Sequence, residues 1–144
     1  MRSLLEESWG AANVITRGRV YAADRLPGFA AWSGARPVGL VTYHISNQEC
    51  EIISLNGVME GQGIGTALIT AVKHAAIERG CRRLWLITTN DNSRALAFYQ
   101  KRGFHLCALY PNAITESRRI KPEIPQMGIN GIPIRDELEL EIRL

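Results

Sequence analysis

No stretch of the chain approaches the roughly 20 consecutive apolar residues a membrane-spanning helix needs, so no such span is expected in its 144 residues. From Met1 to Trp9 only Leu4-Leu5 forms an apolar pair, which does not read as a signal peptide. Cysteine is scarce: Cys50, Cys81 and Cys107 are odd in number and far apart, with no Cys-x-x-Cys and no Cys/His cluster. This argues against a disulfide framework and against a zinc site, and no metal is expected. The thiols read as reduced and mostly buried, in a cytoplasmic protein. An excess of one charge is also lacking. Lys and Arg number 17 against 14 Asp and Glu, a net +3. That is too small and too scattered for a nucleic-acid surface, though it suits an anionic cofactor or substrate. Internal repeats and low-complexity segments are absent. The 46% hydrophobic content is what one soluble domain with a single core requires.

Against this background one stretch stands out, Glu60-Gly61-Gln62-Gly63-Ile64-Gly65-Thr66. It follows the apolar run Ile52-Ile53-Ser54-Leu55 and opens a helix over about 66–79. Three glycines in five positions leave the main chain without Cβ atoms, so its N–H groups can close on a ligand. The helix behind them carries partial positive charge at its N-terminus. Strand, glycine loop and helix start together make a site for phosphate or pyrophosphate. No Gly-Lys-Ser/Thr follows, which excludes a P-loop. Ala67, not glycine, stands two positions after Gly65, which excludes a full dinucleotide fingerprint.

The rest of the chain reads in order. Residues 3–9 suit a short helix with Leu4 and Leu5 inward. The segment 14–22 alternates loosely as a strand, with Gly18 as a bulge or turn. Leu26-Pro27-Gly28 is a turn. Strands at 29–32, 37–45 and 49–55, joined by short polar turns, predict an antiparallel meander. Leu68, Ile69, Val72, Ala75 and Ala76 give the helix one apolar face, and Gly80 stops it. The nearly all-apolar run 83–88 predicts a central strand reached by a right-handed crossover. Asn90-Asp91-Asn92-Ser93 supplies a turn and an N-cap for a second helix over 93–102, ended by Gly103. A strand at 104–109 precedes a long irregular segment, 110–133, and 138–144 alternates as a final half-buried strand. The fold class is α+β.

The glycine loop gains meaning from Asn92-Ser93-Arg94-Ala95-Leu96-Ala97-Phe98-Tyr99-Gln100-Lys101-Arg102-Gly103-Phe104. The pair resembles the GCN5-related N-acetyltransferases, the GNAT superfamily. Their acyl-CoA loop follows Arg/Gln-x-x-Gly-x-Gly/Ala, and their second signature runs Asn-x-x-Ala-x-x-Leu/Phe-Tyr-x-x-x-Gly-Phe. The resemblance is close over about residues 28 to 109, and the final strand fits the family's seventh. It implies a mixed, mostly antiparallel twisted sheet with flanking helices and a splay between strands 4 and 5. It also implies a single N-acetyltransferase domain over 1–144, with a shortened N-terminal part at 1–28, a long loop at 110–133 and a terminal strand at 136–144.

The implied activity is direct transfer of an acetyl group from acetyl-CoA to a primary amine of a small molecule or peptide. No covalent cysteine intermediate is expected. Main chain around Leu55 and Asn56 would pair with the pantetheine, and Gly61, Gln62, Gly63, Ile64, Gly65 and Thr66 would take the pyrophosphate. Asn92 and Tyr99 would approach the lower arm and the sulfur. Tyr99 is the candidate acid for the leaving thiolate, the alternative being a tyrosine packed on the core. Glu51 and Glu49, two apart on one strand and sharing a face with Ile53 and Leu55, are candidate bases. The alternative places them on a solvated edge. Asp136, Glu137 and Glu139 are fallback bases. His44, His74 and His105 have no partner nearby in sequence. Two departures from the family stand out. Glu60 replaces the usual Arg or Gln, and a carboxylate beside a pyrophosphate is unfavourable unless it faces water. Little of the family's N-terminal strand and helices is recognisable before Phe29. The 110–133 segment, with Arg118, Arg119 and Lys121, is therefore either a lid or basic clamp, or a solvated or dimer-contacting arm. The alternating final strand suits pairing across a homodimer. A non-catalytic acyl-CoA-binding or regulatory module of the same fold is the rival reading.

Overall fold

The computed structural model describes residues 2–8, 13–22, 25–57 and 63–144. Glu60, Gly61 and Gln62 lie outside the described residues. The chain packs as two compact units, Met1–Val14 with Tyr21–Leu84 and Arg143–Leu144, and Ile15–Val20 with Trp85–Ile142.

The first unit contains strands β1 (Arg2–Ser8), β4 (Pro27–Ser33), β5 (Arg36–Ser46) and β6 (Glu49–Gly57), in that order across the sheet. All three pairings are antiparallel, as the meander requires. Residues 3–8 are thus strand, not helix, and Pro27-Gly28 opens a strand rather than forming a turn. A hairpin, β2 (Asn13–Thr16) and β3 (Arg19–Ala22), precedes β4. It turns at Arg17 and Gly18, both at positive φ, the pattern of a type I′ turn.

Helix α1 (Ile64–Glu78) packs on β4, β5 and β6 through Ile64, Leu68, Ile69, Val72 and Ala76. Each large aliphatic side chain buried this way contributes about 1.5–3 kcal/mol. That outweighs the roughly 1 kcal/mol that Gly65 costs within a helix. Gly39 lets the helix come close: a Cβ there would meet Ile64 Cγ2 at 2.7 Å, the Asn56 carbonyl at 3.1 Å and Leu68 Cδ1 at 3.2 Å. The helix ends as its sequence predicts. Gly80 takes φ +74, its N–H donates to Ile77 O, and Cys81 N–H donates to Ala76 O, a Schellman motif.

The chain enters the second unit within β7 (Arg83–Thr89). Helix α2 (Ser93–Lys101), β8 (His105–Tyr110), helix α3 (Ala113–Ile120) and β9 (Glu137–Arg143) follow. The sheet order is β7-β9-β8, with β8 and β9 antiparallel. The 110–133 segment is more ordered than its prolines suggest. Besides α3 it holds a 3-10 turn at Ile129–Gly131. Arg118 donates to the carbonyls of Ile124 (3.4 Å), Pro125 (2.8 Å) and Ile134 (2.8 Å). Arg119 pairs with Glu116 at 3.1 Å on the surface. The Arg118 guanidinium therefore pins its own loop. Among the described residues no helix is long and apolar enough to cross a membrane.

Candidate active site

In the first unit the site begins where β6 ends. Leu55 pairs with Val41 and Asn56 with Leu40, so one edge of their main chain is already engaged by β5. Gly63 then caps α1 at φ +72, a left-handed conformation that suits glycine, with no side-chain cap. The first intrahelical bond runs from Ala67 N–H to Gly63 O at 3.0 Å. Ile64 and Gly65 therefore lie in the first turn, where a helix start leaves N–H groups without intrahelical partners. The first turn carries no acidic residue to compete with an anion. This end of α1 has the geometry and charge of a phosphate site.

The two strand glutamates part company. Glu49 is 43% exposed, and its Oε1 lies 3.1 Å from Arg83 Nε, beside the Asn47-Gln48 turn. It braces the hairpin. Glu51 is 2% exposed and accepts a hydrogen bond from Tyr21 OH at 3.4 Å. Its neighbours differ from those simple alternation predicts. The β5–β6 register runs Thr42↔Ser54 but Tyr43↔Ile52, so Ile53 is a bulge. Glu51 therefore shares its face with Ser54, not with Leu55. On β5 the same face carries Thr42, whose hydroxyl shares a 2.6 Å hydrogen bond with Ser54, and His44, directly opposite Glu51. Directly opposed residues have Cβ atoms about 4.5–5.5 Å apart. Tyr21 completes the group, its ring 5.1 Å from that of His44. One sheet face is thus polar, while Val41, Tyr43 and Ile52 on the other are buried.

Sequence reasoning missed Tyr21 and His44. A signal for His44 was present. Once Asn47-Gln48 is the turn, counting back along both strands from Ser46 and Glu49 sets His44 against Glu51. Tyr21 left none, because its approach depends on the β2–β3 hairpin.

In the second unit the signature at 92–104 proves to be a helix with both ends specified. Asn92 Oδ1 accepts from Ala95 N–H at 3.2 Å, an N-cap. At the other end Gly103, at φ +94, donates to Gln100 O, and Phe104 N–H donates to Tyr99 O. Tyr99 and Phe104 stack edge-on with centroids 5.3 Å apart, the apolar contact that closes a Schellman motif. Tyr99 is 8% exposed, and burial pushes its phenol far above the usual range. The hydroxyl is protonated at any working pH, so it suits hydrogen-bond donation to a thiolate better than full proton transfer. The fallback carboxylates have local partners. Asp136 accepts from Asn112 N–H at 2.8 Å and from Arg135 Nε at 3.1 Å. Arg135 first, and then that N–H, hold its carboxyl below its ordinary value.

The thiols divide by exposure. Cys50 is fully buried, and its pKa is pushed up to about 12 by burial, reinforced by Cys81 and Glu51. Cys81 is buried as well, and Cys107 is the exposed one of the three. We expect iodoacetamide at pH 8 to label Cys107 in the folded protein and Cys50 only after denaturant. Mass spectrometry showing early labelling of Cys50 would contradict its placement.

These elements define an α+β fold with a glycine-capped helix start after a central hairpin strand. The chain belongs to the Acetyltransferase (GNAT) family, which matches residues 1–104. It is 47% identical over 131 residues to the uncharacterized protein YdhI of Bacillus subtilis (strain 168), across 90% of this chain and 82% of that protein. Among solved structures, the IAA acetyltransferase from Bacillus cereus ATCC 14579 matches with a TM-score of 0.72 at 25% identity, covering 85% of this chain and 80% of that one. A Bacillus subtilis acetyltransferase in complex with CoA shares the fold, with a TM-score of 0.71 at 23% identity over 84% of this chain and 78% of that one.

Proposed function

We propose that the protein is an N-acetyltransferase that moves the acetyl group of acetyl-CoA to a primary amine by direct attack in a ternary complex. The observation that carries this reading is the glycine-capped, acid-free start of α1 after β6, in a chain of this family. The N–H groups of Gly63 to Thr66, continued by Gly61 and Gln62, take the pyrophosphate. Main chain at Leu55 and Asn56 pairs with the pantetheine. Glu51 accepts the proton of the incoming ammonium, Tyr21 orients its carboxylate, and half-exposed His44 carries the proton onward to water. The likeness of the 92–104 segment to the family's second signature supports Tyr99 as the hydrogen-bond donor to the leaving thiolate and Asn92 as a residue near the lower arm.

Thermal shift with acetyl-CoA, CoA, ATP and NAD in parallel tests the cofactor. We expect acetyl-CoA and CoA alone to stabilise the fold, by about 2.7 kcal/mol at 100 times Kd. Thiol release from acetyl-CoA with a panel of primary amines then tests the transfer. A shift with ATP or NAD but none with CoA would overturn the reading. CoA binding without thiol release from any amine would favour the non-catalytic acyl-CoA-binding module.

A further inference from the structure

The second unit holds a cluster that this mechanism does not use. Tyr110 pairs with Glu137 and Ala108 with Glu139 across β8 and β9, so all project from one face. The register skips Cys107, and this bulge turns its thiol to the same face, 3.5 Å from Glu139 Oε2. Glu137 is 3% exposed and Glu139 is 8% exposed. Buried carboxylates need partners. Glu139 has them, since Tyr110 OH donates to its Oε1 at 2.7 Å beside the Cys107 thiol. Glu137 is less well served. The Arg17 main-chain N–H donates to Oε2 at 3.3 Å. Among the described residues Oε1 is buried with no hydrogen-bond donor, and Arg17 Nη1 stands 3.8 Å away, too far for a hydrogen bond.

The cation here is also poorly seated. Arg17 sits at the tip of the β2–β3 hairpin at φ +50, uncommon for a residue with a Cβ. Its guanidinium lies 3.4 Å from the Tyr110 ring centroid, and its side chain is 36% exposed. An aromatic face beside two carboxylates recognises organic cations by cation–π attraction and charge-assisted hydrogen bonds. Arg17 supplies the stacking and leaves the orphaned oxygen unbonded.

We propose that Tyr110, Glu137 and Glu139 form a binding site for an organic cation, a guanidinium or an ammonium, and that Arg17 is an internal stand-in which such a ligand displaces. The cation site stands independently of the acetyltransferase reading. Burial raises the Glu137 carboxyl, while the Arg17 N–H and the charges of Arg17 and Arg19 lower it. An incoming cation takes over the role of the Arg17 charge.

The test is calorimetric titration of agmatine, and of pentylamine as a probe with a neutral tail, without acetyl-CoA. Wild type is compared with Arg17→Asn and with Arg17→Asn/Glu137→Gln. Asparagine tolerates positive φ, so the turn is retained. We expect Arg17→Asn to bind agmatine at least tenfold more tightly than wild type, with a smaller gain for pentylamine. Glu137→Gln should abolish that gain. Equal agmatine affinity in wild type and Arg17→Asn, or a gain that survives Glu137→Gln, overturns the proposal. Should circular dichroism show the double variant unfolded, Tyr110→Leu on the Arg17→Asn background replaces it and must likewise abolish the gain. Agmatine binding without thiol release from acetyl-CoA supports the cation site and counts against the acetyltransferase reading alone.

Discussion

Glu51→Gln is expected to lower kcat/KM for acetyl transfer at pH 7 by about 10²–10⁴-fold, the usual worth of a positioned general base. The substitution keeps the shape of the side chain and an oxygen to accept from Tyr21, so it removes a proton acceptor and little else. A buried carboxylate also carries a larger desolvation cost than an amide, so the melting temperature should hold or rise. A loss of activity through misfolding would lower it. The pH profile separates chemistry from structure. An alkyl amine has a pKa near ~10.4, so below that value the neutral fraction grows tenfold per pH unit. The variant's rate should climb along that line, while the wild type levels off earlier. Tyr21→Phe should cost much less, since that residue orients the carboxylate and accepts no proton. A variant at position 51 with wild-type rate at pH 7 would remove Glu51 from the mechanism.

Gly39→Ala should produce the largest loss of stability among the single-methyl changes considered. The new Cβ would press on Ile64 and Leu68 from below while the Asn56 carbonyl blocks retreat. Side chains can yield by tenths of an ångström, but a paired strand carbonyl cannot, so the helix must lift. Overpacking of this kind costs about 1–3 kcal/mol, on the order of 5–10 °C in melting temperature for a chain of this length. The lift falls on the first turn of α1, where Ile64 is the first helical residue. CoA affinity should therefore fall along with stability. Gly34→Ala is the control. It meets nothing within 4 Å and strains only a positive φ, so it should leave CoA affinity unchanged. Scanning fluorimetry with and without CoA reads both effects, and an unshifted Gly39→Ala would show that the helix is not seated this closely.

Sequence and structure agree where local chemistry decides. Periodicity placed α1, and glycine marked the ends of α1 and α2, because a left-handed residue at a helix end is a local requirement. The β4–β6 meander was legible from alternation between short turns. The failures are long-range. Residues 3–8 hold Leu and Glu, which favour helix on their own, yet they pair as a strand with residues 27–32, and tertiary pairing overrides propensity. Helix α3 was hidden among prolines, and Arg118 holds its loop through carbonyls up to sixteen positions away. The site follows the same division. The glycine cap of α1 was readable because glycine encodes backbone shape directly. The surroundings of Glu51 were not, because a bulge at Ile53 reset which side chains share its face.

The stretch from Asn92 to Phe104 is a measured length of helix with a start signal and a stop signal. Its asparagine caps, its glycine terminates, and its tyrosine and second phenylalanine close the end against each other. Each of those duties belongs to folding, and none requires a substrate. A descendant that had lost acetyl transfer altogether would still keep all four residues to hold this part of the chain together. A search by that signature therefore selects a way of folding rather than a reaction.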